Sequence, residues 1–401
     1  MQLIHEMYSD YERLLHANPQ RGYDFFYSTL LNPALRESML TSEASLQAIF
    51  CGCNEKGQAI FPNALNINDL LVDEGYMDQA LGNYLAFLGY SNPGNNWTTF
   101  LRNNYAAIFA DKAAIAAVLQ SRTAMHLFVS DSTLWSTIIA NTDYFKRCMC
   151  SYDFCAMLAS TPTKIADIRA NSSLLTAFNT DKKIVTSNQT ITAVQSTVFF
   201  CMLIGQGGKG GNGGYSESSN CDNYYYDAQN GAAGYNGGIA GKVRYNEYYD
   251  RDKEKNAGGG GGRGGVVYCA IRLRKNARLS CTMSATPTFT GNDKRSSFKQ
   301  AANNTQAQIL PDIETSSDST SGTNAANGYG GYGYGVPASG NNFLGTPSAA
   351  NGQQPPNGSY AGSKEGKGGK GVGAGGGGGA GYRKYAGGNG ASGCIGLYKG
   401  A

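Results

Sequence analysis

Three histidines, ten cysteines and the carboxylates are the side chains from which this chain could assemble a reactive centre. His5, His16 and His126 are isolated from one another, and an imidazole acting as a general base needs its partners within hydrogen-bond reach. They read as surface or core residues. Cys51-Gly52-Cys53 and Cys148-Met149-Cys150 are C-x-C pairs, and the other cysteines, at 155, 201, 221, 269, 281 and 394, stand singly. A zinc site asks for two to four residues between paired ligands, so the cysteines read as small buried thiols and no metal is expected. Gly205, Gly207 and Gly210 spell G-x-G-x-x-G after a strand-like run. A dinucleotide site needs those glycines to open a helix, whereas Asn212-Gly213-Gly214-Tyr215 does not start one, so no cofactor is expected. A glycan depolymerase would set two carboxylates across a groove, and the 12 acidic residues after position 200 form no such pair. Nor is nucleic acid expected as a partner, since Arg263-Gly-Gly occurs once. The chain therefore reads as a non-enzyme.

The chemistry that remains is recognition by aromatic rings. Tyr224, Tyr225, Tyr226, Tyr245, Tyr248, Tyr249, Tyr329, Tyr332, Tyr334 and Phe343 lie in polar segments between glycine tracts. A tyrosine offers a flat ring to a sugar face and a hydroxyl to hydrogen-bond it, and loops on a rigid scaffold are where binding residues concentrate. The alternative is that these rings pack over glycine backbone. Arg272, Arg274, Lys275 and Arg278 cluster near an expected hairpin turn, either to meet an anionic glycan or as a solvated tip.

Something must position those rings, and the composition divides the chain in two. Of 55 glycines, 7 precede residue 205. Residues 1–200 carry a net charge of −4 and residues 201–401 a net +8. A basic glycine-rich half is either attracted to something anionic or merely kept soluble. The strongest apolar run, Val198 to Ile204, is far short of the ~20 residues that span a bilayer, so no membrane insertion is expected. Met1 to Met7 leads into charge without a signal-peptide pattern, so folding is expected in a cytoplasm.

From Arg102 to Asp181 the sequence phases in blocks of ten. The fourth positions are Tyr105, Ile115, Met125, Trp135, Phe145, Cys155, Ile165 and Leu175, and the seventh are Ile108, Val118, Phe128, Ile138, Cys148, Leu158, Ile168 and Phe178. Every tenth position (Asp111, Ser121, Asp131, Asn141, Ser151, Thr161, Asn171, Asp181) is a helix-capping type. Ten residues make about 2.8 helical turns, so an unbroken helix would rotate its apolar face away by about 80° per block. The chain must therefore break each block, giving two-turn helices that are unstable alone but bury a seam when stacked. The same phase fits 23–52, broken by Thr29 and Arg36, and lapses over 53–101. Residues 1–22 read as a leading helix ended near Pro19.

The second half reads differently. Gly-Gly-X triplets from Gly207 to Tyr215 have the threefold period of polyproline II. Bare glycine edges let such helices approach and pair their backbone groups, giving a domain with almost no apolar core. Glycine tracts at 205–214, 230–241, 257–265, 328–335, 366–381 and 387–393 are available for it; the alternative is flexible low-complexity chain. Strand-like runs at 196–204, 266–273 and 393–398 bracket this region, and 311–327 reads as a long loop. The expected fold is thus a mainly α N-terminal half built of ten-residue helix–turn repeats, followed by a C-terminal glycine-rich domain of polyproline-II-like helices with a few β-strands. The expected divisions are an attachment region at 1–101, a repeat stalk at 102–181, a strand linker at 182–204 and a glycine-rich tip at 205–401.

Two features resemble bacteriophage tail-fibre proteins. The short helical units, such as TAMHLFVSD from Thr123 to Asp131 and SSLLTAF from Ser172 to Phe178, are similar to tandem repeats in tail fibres of gut and environmental phages. The block running from FFCMLIGQGGKGG (Phe199 to Gly211) through GGGGGAG (Gly375 to Gly381) to GASGCIGLY (Gly390 to Tyr398) resembles the glycine-rich domain that ends such proteins. It is similar in kind to tip adhesins of some T-even-type phages, in which polyproline-II glycine helices display receptor-binding loops. The resemblance covers most of 102–401 and implies a virion protein, assembled in the host cytoplasm, that attaches to a host-surface glycan or protein. It also implies other tail or fibre proteins as partners, and a homotrimer. The other reading is a non-adhesive virion component, such as a head fibre or a neck or baseplate decoration.

Overall fold

The computed structural model describes residues 27–50, 71, 75–180, 182–204, 266–273, 276–283, 288–292, 307–308 and 392–400. These are mainly helical, with antiparallel strands after residue 181. The expected leading helix at 1–22, the loop at 311–327 and nearly all of the glycine tracts lie outside them.

After a helical stretch at 27–31, Asn32 caps α1 (Pro33–Thr41) by accepting from the amides of Ala34 and Leu35 at 3.1 and 3.3 Å. Then follow α2 (Glu43–Phe50), α3 (Met77–Phe87) and α4 (Trp97–Ala110). Helix α4 begins five residues before the first expected block, because Asn96 accepts from the Thr99 amide at 3.3 Å and Trp97 and Phe100 bury their rings. The expected division between 101 and 102 therefore falls inside one helix.

Seven short helices follow: α5 (Lys112–Val118), α6 (Arg122–Ser130), α7 (Ser132–Ala140), α8 (Thr142–Cys148), α9 (Tyr152–Ala159), α10 (Pro162–Ala170) and α11 (Ser172–Thr180). Asp111, Ser121, Asp131, Asn141 and Asn171 each accept a hydrogen bond from an amide in the first turn that follows. Each such bond satisfies a helix-end donor that would otherwise be orphaned. Ser151 and Thr161 sit at the same place without a side-chain cap bond. Ile115, Met125, Phe128, Trp135, Ile138, Phe145, Leu158, Ile165 and Ile168 are all buried.

Lateral hydrogen bonds then join residues 29 to 32 apart. Arg102 Nε donates to Asp131 Oδ1 at 3.2 Å. Arg122 Nε reaches Asp153 Oδ1 at 3.1 Å, Trp135 Nε1 reaches Asp167 Oδ2 at 2.8 Å, and Asn171 Nδ2 reaches the Ile139 carbonyl at 3.3 Å. Helix α4 packs on α7, α6 on α9, and α8 on α11, so the path comes back over itself every third helix.

Among the described residues eight strands follow: β1 (Lys182–Val185), β2 (Gln189–Thr192), β3 (Thr197–Ile204), β4 (Val266–Leu273), β5 (Arg278–Thr282), β6 (Thr288–Asn292), β7 (Ala307–Gln308) and β8 (Cys394–Tyr398). They form two antiparallel sheets, ordered β1-β8-β3-β4 and β2-β5-β6-β7. The first sheet is covered on both faces. Val198, Phe200, Met202, Ile204, Tyr268, Cys394 and Tyr398 pack into the same core as the helices, with α9 lying on β3 and β4. On the other face Cys201, Leu203, Ile271, Leu273, Ile395 and Leu397 meet Leu279 and Cys281 of the second sheet. The order is therefore helices, sheet, sheet. These strands carry an apolar core of their own; the expected domain of stacked glycine tracts with almost no apolar core lies outside the described residues.

Candidate binding face

The geometry that bears on recognition begins with β3. Its residues are apolar on both sides, so it has no solvent face and must be an inner strand. It lies between β4 and β8, with Cys201 opposite both Cys269 and Leu397. Aromatic rings fix the helix side of this arrangement: Phe200 stacks 5.9 Å from Tyr268 at 28°, and lies 6.4 Å from Tyr398 tilted at 55°.

Three strand ends meet at one edge of this sheet. Ile204, the last residue of β3, is paired with Val266, the first of β4, and with Cys394, the first of β8. With strands about 4.8 Å apart, the three ends span about 10 Å. The chain leaves at Ile204, returns at Val266, and comes back a second time at Cys394. Tyr224, Tyr225, Tyr226, Tyr245, Tyr248 and Tyr249 belong to the first excursion. Tyr329, Tyr332, Tyr334 and Phe343 belong to the stretch that ends at Cys394. All ten lie outside the described residues. The structure places both ends of the first stretch and the C-terminal end of the second side by side on a buried sheet; the second stretch follows β7, which belongs to the other sheet.

The basic cluster sits at the opposite end of β4. Its turn does not close a hairpin within one sheet: β4 belongs to the first sheet and β5 to the second. Asn276 takes a left-handed conformation (φ 66°), which Asn tolerates better than most residues, and its amide donates to the Ala193 carbonyl at 2.7 Å. Arg272 is half-buried with its guanidinium 5.7 Å from the Tyr152 ring, while Arg278 is exposed. Arg274 and Lys275 lie outside the described residues. Burial raises the Tyr152 hydroxyl above its ordinary pKa, partly offset by the positive Arg272.

Among the described residues, no three His, Cys, Asp or Glu side chains gather to hold a metal, and no helix is long and apolar enough to cross a membrane. His126 is half-buried on α6. His5, His16, Cys51, Cys53 and Cys221 lie outside the described residues. Burial pushes the thiols of Cys148, Cys155 and Cys201 well up, and that of Cys394 up to about 12. A protonated thiol is a poor nucleophile.

Two features escaped the sequence reading. One is the pairing of Cys201 with Cys269, which only strand register could reveal. The other is the seating of Gly400, where a Cβ would come 2.5 Å from both the Lys146 carbonyl and Cys150 Sγ. No family model matches the chain, and no curated protein is similar to it.

Proposed function

We propose that this chain is a phage virion protein, a tail fibre or fibre-tip adhesin that attaches the particle to a host-surface glycan or protein. The observation that carries the reading is the anchoring of the aromatic-bearing stretches on a sheet buried on both faces, where both ends of the first and the C-terminal end of the second lie side by side. A recognition loop is useful only where its anchors are rigid, because ordering it on binding costs affinity. Strand ends locked by register, with helices behind them and a second sheet beneath, supply that rigidity. Tyrosine-rich contact segments lose little side-chain entropy on binding.

The helical half fits the role of spacer. It is an array of ten-residue units, three to a turn, in which each turn caps and buries the next as in other repeat proteins. The glycine tracts supply polyproline-II-like segments to the tip. The partners are other tail or fibre proteins and copies of this chain, a trimer being the expected form. The protein acts without catalysis.

The test uses the full chain. Labelled protein is applied to a panel of bacterial cells and to a glycan array, beside a variant in which Tyr224, Tyr225 and Tyr226 are replaced by Ala. Retention on at least one surface, weakened about tenfold or more in the variant, is expected; tenfold corresponds to about 1.4 kcal/mol. Absence of retention on every host surface, by a chain that still incorporates into particles, would leave a non-adhesive virion component as the reading.

A further inference from the structure

Cys201 and Cys269 stand directly opposite each other in the β3–β4 pair. Opposed residues in an antiparallel pair have Cα atoms about 4.5 or 5.5 Å apart, depending on the pair type. Both values fall within the roughly 4.4–6.8 Å that a disulfide spans. Opposed side chains also project from the same face, and both cysteines lie on the side turned to the second sheet. Both are free thiols.

We propose that Cys201 and Cys269 are a cross-strand dithiol, a site of oxidative modification that closes to a disulfide when the folded chain meets a small-molecule disulfide. The two partners differ in the way such a reaction needs. Cys269 is half-buried and so reachable, whereas Cys201 is fully buried. The Cys269 thiolate attacks one sulfur of the small disulfide, forming a mixed disulfide and expelling one thiolate. Cys201, protonated at rest and therefore slow to react with a reagent from solution, passes its proton to the departing small thiolate as it attacks the adjacent Cys269 sulfur, and a second small thiol leaves. The protein loses two hydrogens and two electrons, and the small disulfide gains them as two thiols. The buried partner needs no encounter from solution, because strand pairing already holds it against the mixed disulfide.

Cys281 shares the same apolar layer but sits on β5 of the facing sheet, so it has no place opposite Cys201 in the strand register, which only Cys269 and Leu397 hold. The bond would tie β3 to β4 three residues before Ile204 and three after Val266, at the root of the first excursion. This inference does not depend on the adhesin reading.

The test treats the folded full-length chain with oxidised glutathione, alkylates the remaining thiols after denaturation, and maps the peptides by mass spectrometry. The expected product links the peptides of Cys201 and Cys269, lacks two alkylated thiols and retains no glutathione; dithiothreitol reverses it. Cys281→Ser should leave the link intact, and Cys269→Ser should abolish it. A stable glutathione adduct on Cys269, a Cys201–Cys281 link, or both thiols still reduced in the folded protein would overturn the proposal. Should Cys269→Ser fail to fold, the wild-type and Cys281→Ser maps decide it alone.

Discussion

Asp131 does two jobs with one carboxylate. It caps α7, accepting from the amides of Thr133 and Leu134 at 3.2 and 3.0 Å, and it holds Arg102 from α4. Substitution can separate the two. Asn keeps the cap but loses the charge, so Asp131→Asn should cost under about 1 kcal/mol, as exposed ion pairs do. Asp131→Ala loses both, and the missing cap should add about 1 kcal/mol. Urea denaturation at neutral pH would separate the variants, and equal costs would mean the cap contributes nothing. The hydrogen bond from Arg102 lowers the Asp131 carboxyl below its ordinary value of 3.8. A depressed carboxyl adds stability that is fully present above the unfolded pKa and is lost as pH falls through the folded one. The gap between wild type and Asp131→Asn should therefore narrow as pH drops below about 4.

A helix of seven to nine residues is too short to persist in water, so α5 to α11 exist because they bury side chains against one another. Phe128 on α6 is fully buried, with its ring 5.7 Å from that of Phe109 on α4. Phe128→Ala should cost about 3–5 kcal/mol in chemical denaturation; a loss near zero would mean the array closes without that ring. The segment after β8 is held differently. At Gly400 a side chain would meet the Lys146 carbonyl and the Cys150 amide, backbone atoms that cannot step aside. Gly400→Ala should cost about 1–3 kcal/mol, as overpacking does, with faster amide exchange at 399–400. What was legible in the sequence follows from how local each cause is. Capping by Asp111, Ser121, Asp131 and Asn141, and burial of Ile115, Met125, Trp135 and Phe145, are written in residue type at short spacing, so these helices could be read directly. The start of α4 could not, because Asn96 and Trp97 fall where the phase lapses. The strand β3 was visible as an apolar run, but burial of both faces erases the alternation that would have announced its orientation. Its partners β4 and β8 lie beyond long glycine-rich stretches whose composition carries no pairing information. The meeting of three strand ends, and of Cys201 with Cys269, therefore emerges only from the fold. The ten aromatic candidates lie outside the described residues, and the fold adds only where Ile204, Val266 and Cys394 meet.

At the scale of the whole molecule, the expected separation of stalk from tip meets a continuous core. Residues from Leu30 to Leu175 in the helices and Phe200, Met202, Tyr268 and Tyr398 in the first sheet belong to one buried cluster, with α9 lying on β3 and β4. Lys182, where β1 begins, follows α11 almost at once. Two bodies joined by a linker would unfold in separate steps, whereas elements sharing a core melt together when the coupling exceeds the stability of either alone. Phe200 is the residue with which to ask the question. It is fully buried, it stacks on Tyr268 and lies tilted beside Tyr398, and it packs into the core of the helices. Phe200→Ala should remove about 3–5 kcal/mol. In the coupled case that loss appears equally in far-ultraviolet circular dichroism, which follows the helices, and in amide exchange of β3, β4 and β8 across the denaturant range, with coincident midpoints displaced together. If the helical signal keeps its wild-type midpoint while the strand amides open at lower denaturant, the helices stand independently of the sheet. The stalk would then be a separate body, and the rigidity asked of the helices behind the binding face would have to come from the sheets alone.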